Sequence, residues 1–235
     1  MHKTGSTSIQ NTFAANAPEG FAYLPWHGPN HGGLLRLIAD PEVGKYPPFC
    51  NTSAPERAAA AARAKWLPQV RAAFEPSATH HTVIFSAERL FPSSPQVKRN
   101  FQEFLRDLCS DVRVIAYIRP PASKAVSSVQ QRLKTSDADA RLANLWPHYR
   151  DRIEALDHVF GREAVEPVLF SRDTLKNGDV VADFAERIGA NLPPEDILQA
   201  NVAFRWKRWR SFTCSAGMEP VCQIAGRAGK RETQQ

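Results

Sequence analysis

The sequence has no C-x-x-C pair, and its 4 cysteines and 7 histidines fall into no spacing that holds zinc or an iron–sulfur cluster. Cys50, Cys109, Cys214 and Cys222 therefore read as free thiols of a reducing compartment, and no metal is expected. No apolar run approaches the roughly 18 residues that a membrane span requires, and no secretory leader stands at the start. These absences set aside an integral membrane protein and a disulfide-stapled secreted scaffold, and a cytoplasmic protein is expected. Acidic residues are also short: 24 Asp and Glu against 30 Lys and Arg leave a net charge of +6. That balance favours an anionic ligand without choosing among nucleotide, nucleic acid, sulfated glycan and anionic lipid.

The stretch His2-Lys3-Thr4-Gly5-Ser6-Thr7-Ser8-Ile9-Gln10 is the feature around which the rest is organised. It reads as a loop that turns directly into a helix, with Gly5 at the tight turn and hydroxyl residues at the helix start. The first N–H groups of a helix lack internal acceptors and carry partial positive charge. With the Lys3 ammonium and the hydroxyls of Ser6, Thr7 and Ser8, this makes a receptor for a tetrahedral anion. The nucleotide-triphosphatase pattern G-x-x-x-x-G-K-[ST] is not met, because Lys3 precedes the glycine and no earlier glycine exists. No apolar strand ends in the acidic residue that would hold Mg²⁺. An anion loop of this kind hangs from a buried strand, and only Met1 and His2 precede Lys3, so that first strand is expected to be missing.

The remaining elements read as one α/β domain over residues 1–200 and a basic, poorly ordered tail over 201–235. Residues 17–51 are irregular and rich in Pro, Gly, His and aromatics, with a short helix from Gly33 to Ala39. Trp26 and His27 in that loop either line an acceptor pocket or plug the core. Ser53-Ala54-Pro55-Glu56 has the form of a capping box that opens an Ala-rich helix to about Phe74. Strands are expected at 81–86, 111–118 and 164–170, and helices at 95–108, 122–134, 141–160 and 173–189. Glu88 follows the first of these strands, where open α/β sheets bind ligands, and is placed to act as a general base. It can equally begin a helix or pair with Arg89. Arg119 closes the second strand and Ser127 lies on the next helix, an arginine fork plus hydroxyl suited to a phosphate. Gln131 shares the face of Ser127.

Taken together, Lys3-Thr4-Gly5-Ser6-Thr7-Ser8 and Tyr117-Ile118-Arg119 with Ser127 resemble the sulfotransferases that use 3′-phosphoadenosine 5′-phosphosulfate (PAPS), especially their bacterial carbohydrate-type branch. Asn30-His31, Ser86-Ala87-Glu88 and Phe170-Ser171-Arg172 leading to Asp183-Phe184 are similar to the same branch, so the likeness spans residues 2–190. It implies a P-loop-like three-layer fold with a mostly parallel central sheet flanked by helices. It implies that Lys3 to Ser8 cradle the 5′-phosphosulfate and that Arg119 and Ser127 grip the 3′-phosphate. Lys3 would then be catalytic at the leaving group, with Glu88 the first choice of base and His31 the second. Trp26, His27 and Gln131 would face a hydroxyl-bearing acceptor, a carbohydrate or lipid headgroup. Val129 stands where relatives often have tyrosine, and the segment after Asn201 departs from the family pattern. The other classes compatible with the residues are a P-loop kinase of small molecules and a non-catalytic protein. In the latter, Phe204, Trp206 and Trp209 among the tail's cations would meet an anionic polymer; no specific nucleic acid is expected.

Overall fold

The computed structural model describes residues 4–75, 80–121 and 148–199. In chain order these form α1 (Ser6–Ala15), β1 (Phe21–Tyr23), α2 (Gly32–Ala39), α3 (Pro55–Ala72), β2 (Thr82–Ile84), α4 (Pro95–Arg106), β3 (Val114–Ile118), α5 (Tyr149–Phe160), β4 (Val165–Leu169) and α6 (Val180–Ile188). The strands pair as two separate parallel couples. Phe21 to Tyr23 lie beside Thr82 to Ile84, and Val114 to Ile118 beside Val165 to Leu169. The expected single central sheet is thus replaced, among the described residues, by two pairs. A strand leading into the anion loop would precede Thr4 and lie outside those residues. The helix expected at 122–134 and the basic tail also fall outside them.

Layering follows from the period of two along each strand, which sends alternate side chains to opposite faces. Ile84 packs with Ile9 and Phe13 of α1 and with Val180, Val181 and Ala185 of α6, in a core that Tyr117 and Val168 also enter. Its neighbours Val83 and Phe85 pack the other way, against Leu34 of α2 and Val70 of α3. Phe85 also meets Phe101 of α4 at 4.8 Å between ring centroids. Helices therefore cover β2 on both faces, as a buried parallel strand requires. Phe13, fully buried, meets Phe184 edge-on at 5.2 Å and 88°.

A polar staple fixes the second couple to α6. Asp183, 3% exposed, accepts hydrogen bonds from Tyr117 Oη at 2.7 Å, Arg187 Nε at 2.7 Å and the Lys176 amide at 3.2 Å. Burial alone would raise this carboxyl's pKa, but the bonds from Arg187, Tyr117 and Lys176 outweigh it and the net shift is downward. Arg187 also pairs with Glu166 of β4, to which Arg113 donates at 3.1 Å.

Two local expectations are corrected. The helix expected from Asp173 starts at Val180, because Asn177 and Gly178 take positive φ of 53° and 68° and end any earlier turn. Asp179 then caps it, its Oδ1 accepting from the amides of Val181 at 2.8 Å and Ala182 at 3.0 Å. The capping box at Ser53 does not form: the helix starts one residue later, with Ala54 at its N-cap and no side-chain cap.

Candidate functional site

The site gathers at the C-terminal ends of the parallel strands, where α/β folds bind ligands. Gly5 sits at the N-cap of α1 with φ 71° and ψ 9°, a left-handed conformation that lets the chain turn from loop into helix. A Cβ added to Gly5 would lie 2.5 Å from Val180 Cγ1 and 3.4 Å from Phe170 Cε2, so the loop is seated directly against α6 and the end of β4. The Ser8 and Ile9 amides turn inward to the Gly5 carbonyl at 2.9 and 3.3 Å. The amides of Ser6 and Thr7, in the first turn, have no intrahelical acceptor. Of the hydroxyls expected to face an anion, those of Thr4 and Ser8 belong to residues only 2% and 5% exposed, whereas Ser6 and Thr7 are half-buried.

Glu88 and Arg119 reach the same neighbourhood from different strands. Beyond β2, the Ser86-Ala87-Glu88 turn comes back to α1: Ser6 Oγ donates to Glu88 Oε1, and Gln10 Nε2, one turn further on, donates to Ser86 Oγ at 3.2 Å. Beyond β3, the Phe170 amide donates to Ile118 O at 2.7 Å and extends the β3–β4 ladder by one bond. This holds Arg119 beside Phe170, with its guanidinium carbon 5.2 Å from the ring centroid. Phe170 therefore stands beside both the glycine turn and Arg119.

His31 occupies a different kind of place. It is fully buried, between the rings of Tyr23 at 4.5 Å and Phe85 at 5.0 Å. Its Nδ1 accepts from the Ser86 amide at 2.9 Å, which leaves Nε2 to carry the proton and donate to Leu24 O at 3.1 Å. Desolvation pushes its pKa down to about 4, against a smaller upward pull from the Leu24 carbonyl. With both ring nitrogens engaged by backbone, His31 has no lone pair to offer a substrate and is not placed to act as the alternative base.

The aromatic loop is likewise turned elsewhere. The Trp26 ring lies 4.0 Å from His27 and 4.7 Å from Trp66 of α3, and a Cβ on Gly33 would stand 3.2 Å from Trp26 Cζ2. Trp26 thus wedges α2 against α3, and only His27 is exposed. Lys3, Ser127 and Gln131 lie outside the described residues. No group of three or more His, Cys, Asp or Glu placed to hold a metal ion occurs among the described residues, and no helix there is long and apolar enough to cross a membrane.

Two residues not singled out in the sequence belong to the site. Gln10 was legible in hindsight, four positions after Ser6 and so on the same helix face. Tyr149, in the first turn of α5, carries a buried hydroxyl beside the Arg119 backbone. Burial pushes its phenol pKa up, while Arg119 and Arg152 nearby pull it down. No spacing in the sequence relates Tyr149 to Arg119.

No family model and no curated protein sequence matches this chain. Among solved structures, the chain is similar to a sulfotransferase from Alicyclobacillus acidocaldarius, with a TM-score of 0.49 and 14% identity over 85% of this chain and 83% of that one.

Proposed function

We propose that this chain is a sulfotransferase that moves the sulfuryl group of PAPS to a hydroxyl acceptor by in-line displacement. The observation that carries the reading is that the glycine turn and Arg119 both stand beside Phe170. Two motifs more than a hundred residues apart in sequence thereby meet at one apolar ring, an arrangement suited to a nucleotide charged at both ends. The Ser6 and Thr7 amides and the Lys3 ammonium would hold the phosphosulfate, and Lys3 would neutralise charge developing on the leaving phosphate. Arg119, with Ser127, would hold the 3′-phosphate through a planar, charge-assisted contact.

Glu88 stands next to this cradle, hydrogen-bonded to Ser6, and is the group assigned to take the acceptor proton. The S–O bond to the acceptor forms as the S–O bond to the phosphate breaks, and the proton passes to the Glu88 carboxylate. The sulfuryl group carries less charge than a γ-phosphoryl group, so positioned N–H groups and cations suffice for its transfer. The acceptor class we favour is a carbohydrate or lipid headgroup, with His27 and Gln131 as residues that would meet it, Trp26 being packed between α2 and α3.

Calorimetric titration with 3′-phosphoadenosine 5′-phosphate (PAP) and with Mg²⁺-ATP tests the assignment. Metal-independent PAP binding, tighter than that of Mg²⁺-ATP, is expected. The reverse order would replace the sulfotransferase reading with a kinase. Glu88→Gln should then leave PAP affinity intact while removing turnover.

A further inference from the structure

His31 is tied to the backbone at three points beside the site. Its amide donates to Ser86 O at 2.9 Å, its Nδ1 accepts from Ser86 N at 2.9 Å, and its Nε2 donates to Leu24 O at 3.1 Å. Leu24 is the residue just past β1 and Ser86 the second residue past β2, and Leu24 N donates to Ile84 O at 3.2 Å to close the couple. The imidazole therefore continues the ladder beyond the point where backbone pairing ends. It does so with a planar ring packed against Tyr23 and Phe85, so the ends of two strands are held at a fixed spacing.

The consequence falls on Glu88, two residues past Ser86. All three polar groups of Ser86 are engaged: its amide and carbonyl by His31, and its hydroxyl by Gln10. The turn carrying Glu88 thus leaves a fully anchored residue, and it ends where Ser6 Oγ meets the carboxylate. We propose that His31 is a positioning residue for Glu88, a neutral imidazole protonated on Nε2 that sets where the Ser86–Glu88 turn departs from β2 and so aims the carboxylate at the anion cradle. The proposal rests on the sulfotransferase reading for the role of Glu88, but the tether itself does not depend on it.

The two ring nitrogens can be removed separately. An Asn amide oxygen stands as many bonds from Cα as Nδ1 does, so His31→Asn keeps an acceptor for the Ser86 amide and drops the Leu24 bond. A Gln amide nitrogen matches Nε2, so His31→Gln keeps the Leu24 bond and drops the acceptor. Sulfuryl transfer from PAPS to water, followed as PAP release, needs no identified acceptor: the water oxygen bonds sulfur, the phosphate leaves as PAP, and Glu88 takes the proton.

His31→Gln is expected to lower kcat on the order of 10- to 100-fold, the scale of a misplaced catalytic group. His31→Asn should recover most of that loss, with PAP affinity unchanged in both and thermal midpoints lowered alike. Equal losses in the two variants, or a Gln variant with normal kcat, would overturn the positioning role. Nitrogen NMR of the unmutated chain gives a second readout that requires neither folding of a variant nor turnover. The tether demands an unprotonated Nδ1 and a protonated Nε2 at neutral pH, together with slow exchange of the Ser86 amide hydrogen. The opposite tautomer or a rapidly exchanging Ser86 amide would overturn the tether. An absence of PAP binding with the expected tautomer would overturn the sulfotransferase reading alone.

Discussion

Single residues decide whether the cradle can exist. Gly5 combines a left-handed backbone, φ 71°, with a neighbour, Val180 Cγ1, that would stand 2.5 Å from any added Cβ. Either condition alone disfavours a side chain; together they bar one without moving α6 or the loop. Gly5→Ala should cost about 2 kcal/mol or more of stability, read as a lowered urea midpoint at constant slope, and weaken PAP binding at least about tenfold in calorimetry. A full-affinity Ala variant would mean that the loop does not depend on its turn. His31 makes a prediction of a different sort, because its pKa in the folded chain, about 4, lies below its ordinary 6.5. The unfolded chain binds the proton that the folded chain refuses, so the His31 contribution is complete above about pH 6.5 and is lost as pH falls toward 4. Against His31→Asn, which does not titrate, the unmutated chain should lose roughly 3 kcal/mol of unfolding free energy between pH 7 and pH 4. Parallel curves for the two proteins would show an imidazole that charges freely in the fold.

At the scale of the elements, the polar staple between β3, β4 and α6 is the interaction most exposed to a single change. Asp183 is buried and takes three hydrogen bonds, so Asp183→Asn removes the charge that faces Arg187 and cannot accept from every donor now aimed at it. Because Arg187 keeps Glu166, the expected loss is about 3 kcal/mol, at the lower end for a broken buried pair, measured by urea unfolding. Strands β2 and β3 were legible because Thr82-Val83-Ile84 and Val114 to Ile118 are apolar or β-branched runs, and β4 because Val165, Val168 and Leu169 frame Glu166 and Pro167 after the turn at Gly161. β1 was not, since Phe21-Ala22-Tyr23 is three residues long within a Pro- and Gly-rich loop and exists only through its pairing with β2. The late start of α6 was hidden for a similar reason: local propensity allows a helix from Asp173, and only the left-handed Asn177 and Gly178 forbid it. Glu88 and Arg119 were placed by their positions just after strands. Their convergence was not readable, because it passes through Phe170, a residue whose spacing from either says nothing about contact.

For the whole molecule, the question is whether a net charge of +6 acts as a diffuse field or through one built contact. A diffuse field attracts any polyanion, weakens steadily with salt, and is indifferent to which cation is removed. The contact at Arg119 is different in kind. Its guanidinium is held against Phe170 at 5.2 Å, at the end of a strand fixed by the Phe170 amide bond to Ile118 O at 2.7 Å. A planar fork in a fixed orientation pairs with two phosphate oxygens at once, whereas a lysine ammonium is a point charge that cannot. Arg119→Ala should therefore weaken PAP about 10- to 100-fold, the scale of one charge-assisted pair, and Arg119→Lys should recover only a small part despite restoring the charge. Adenosine 5′-phosphate, which lacks the 3′-phosphate, should bind the unmutated and Ala chains equally. Calorimetry at two salt concentrations separates the cases: a loss confined to PAP and persisting at high salt locates the 3′-phosphate at Arg119. If Lys restores full affinity and salt abolishes the difference, the basic surface acts only through its total charge, and the two motifs beside Phe170 do not form one nucleotide site.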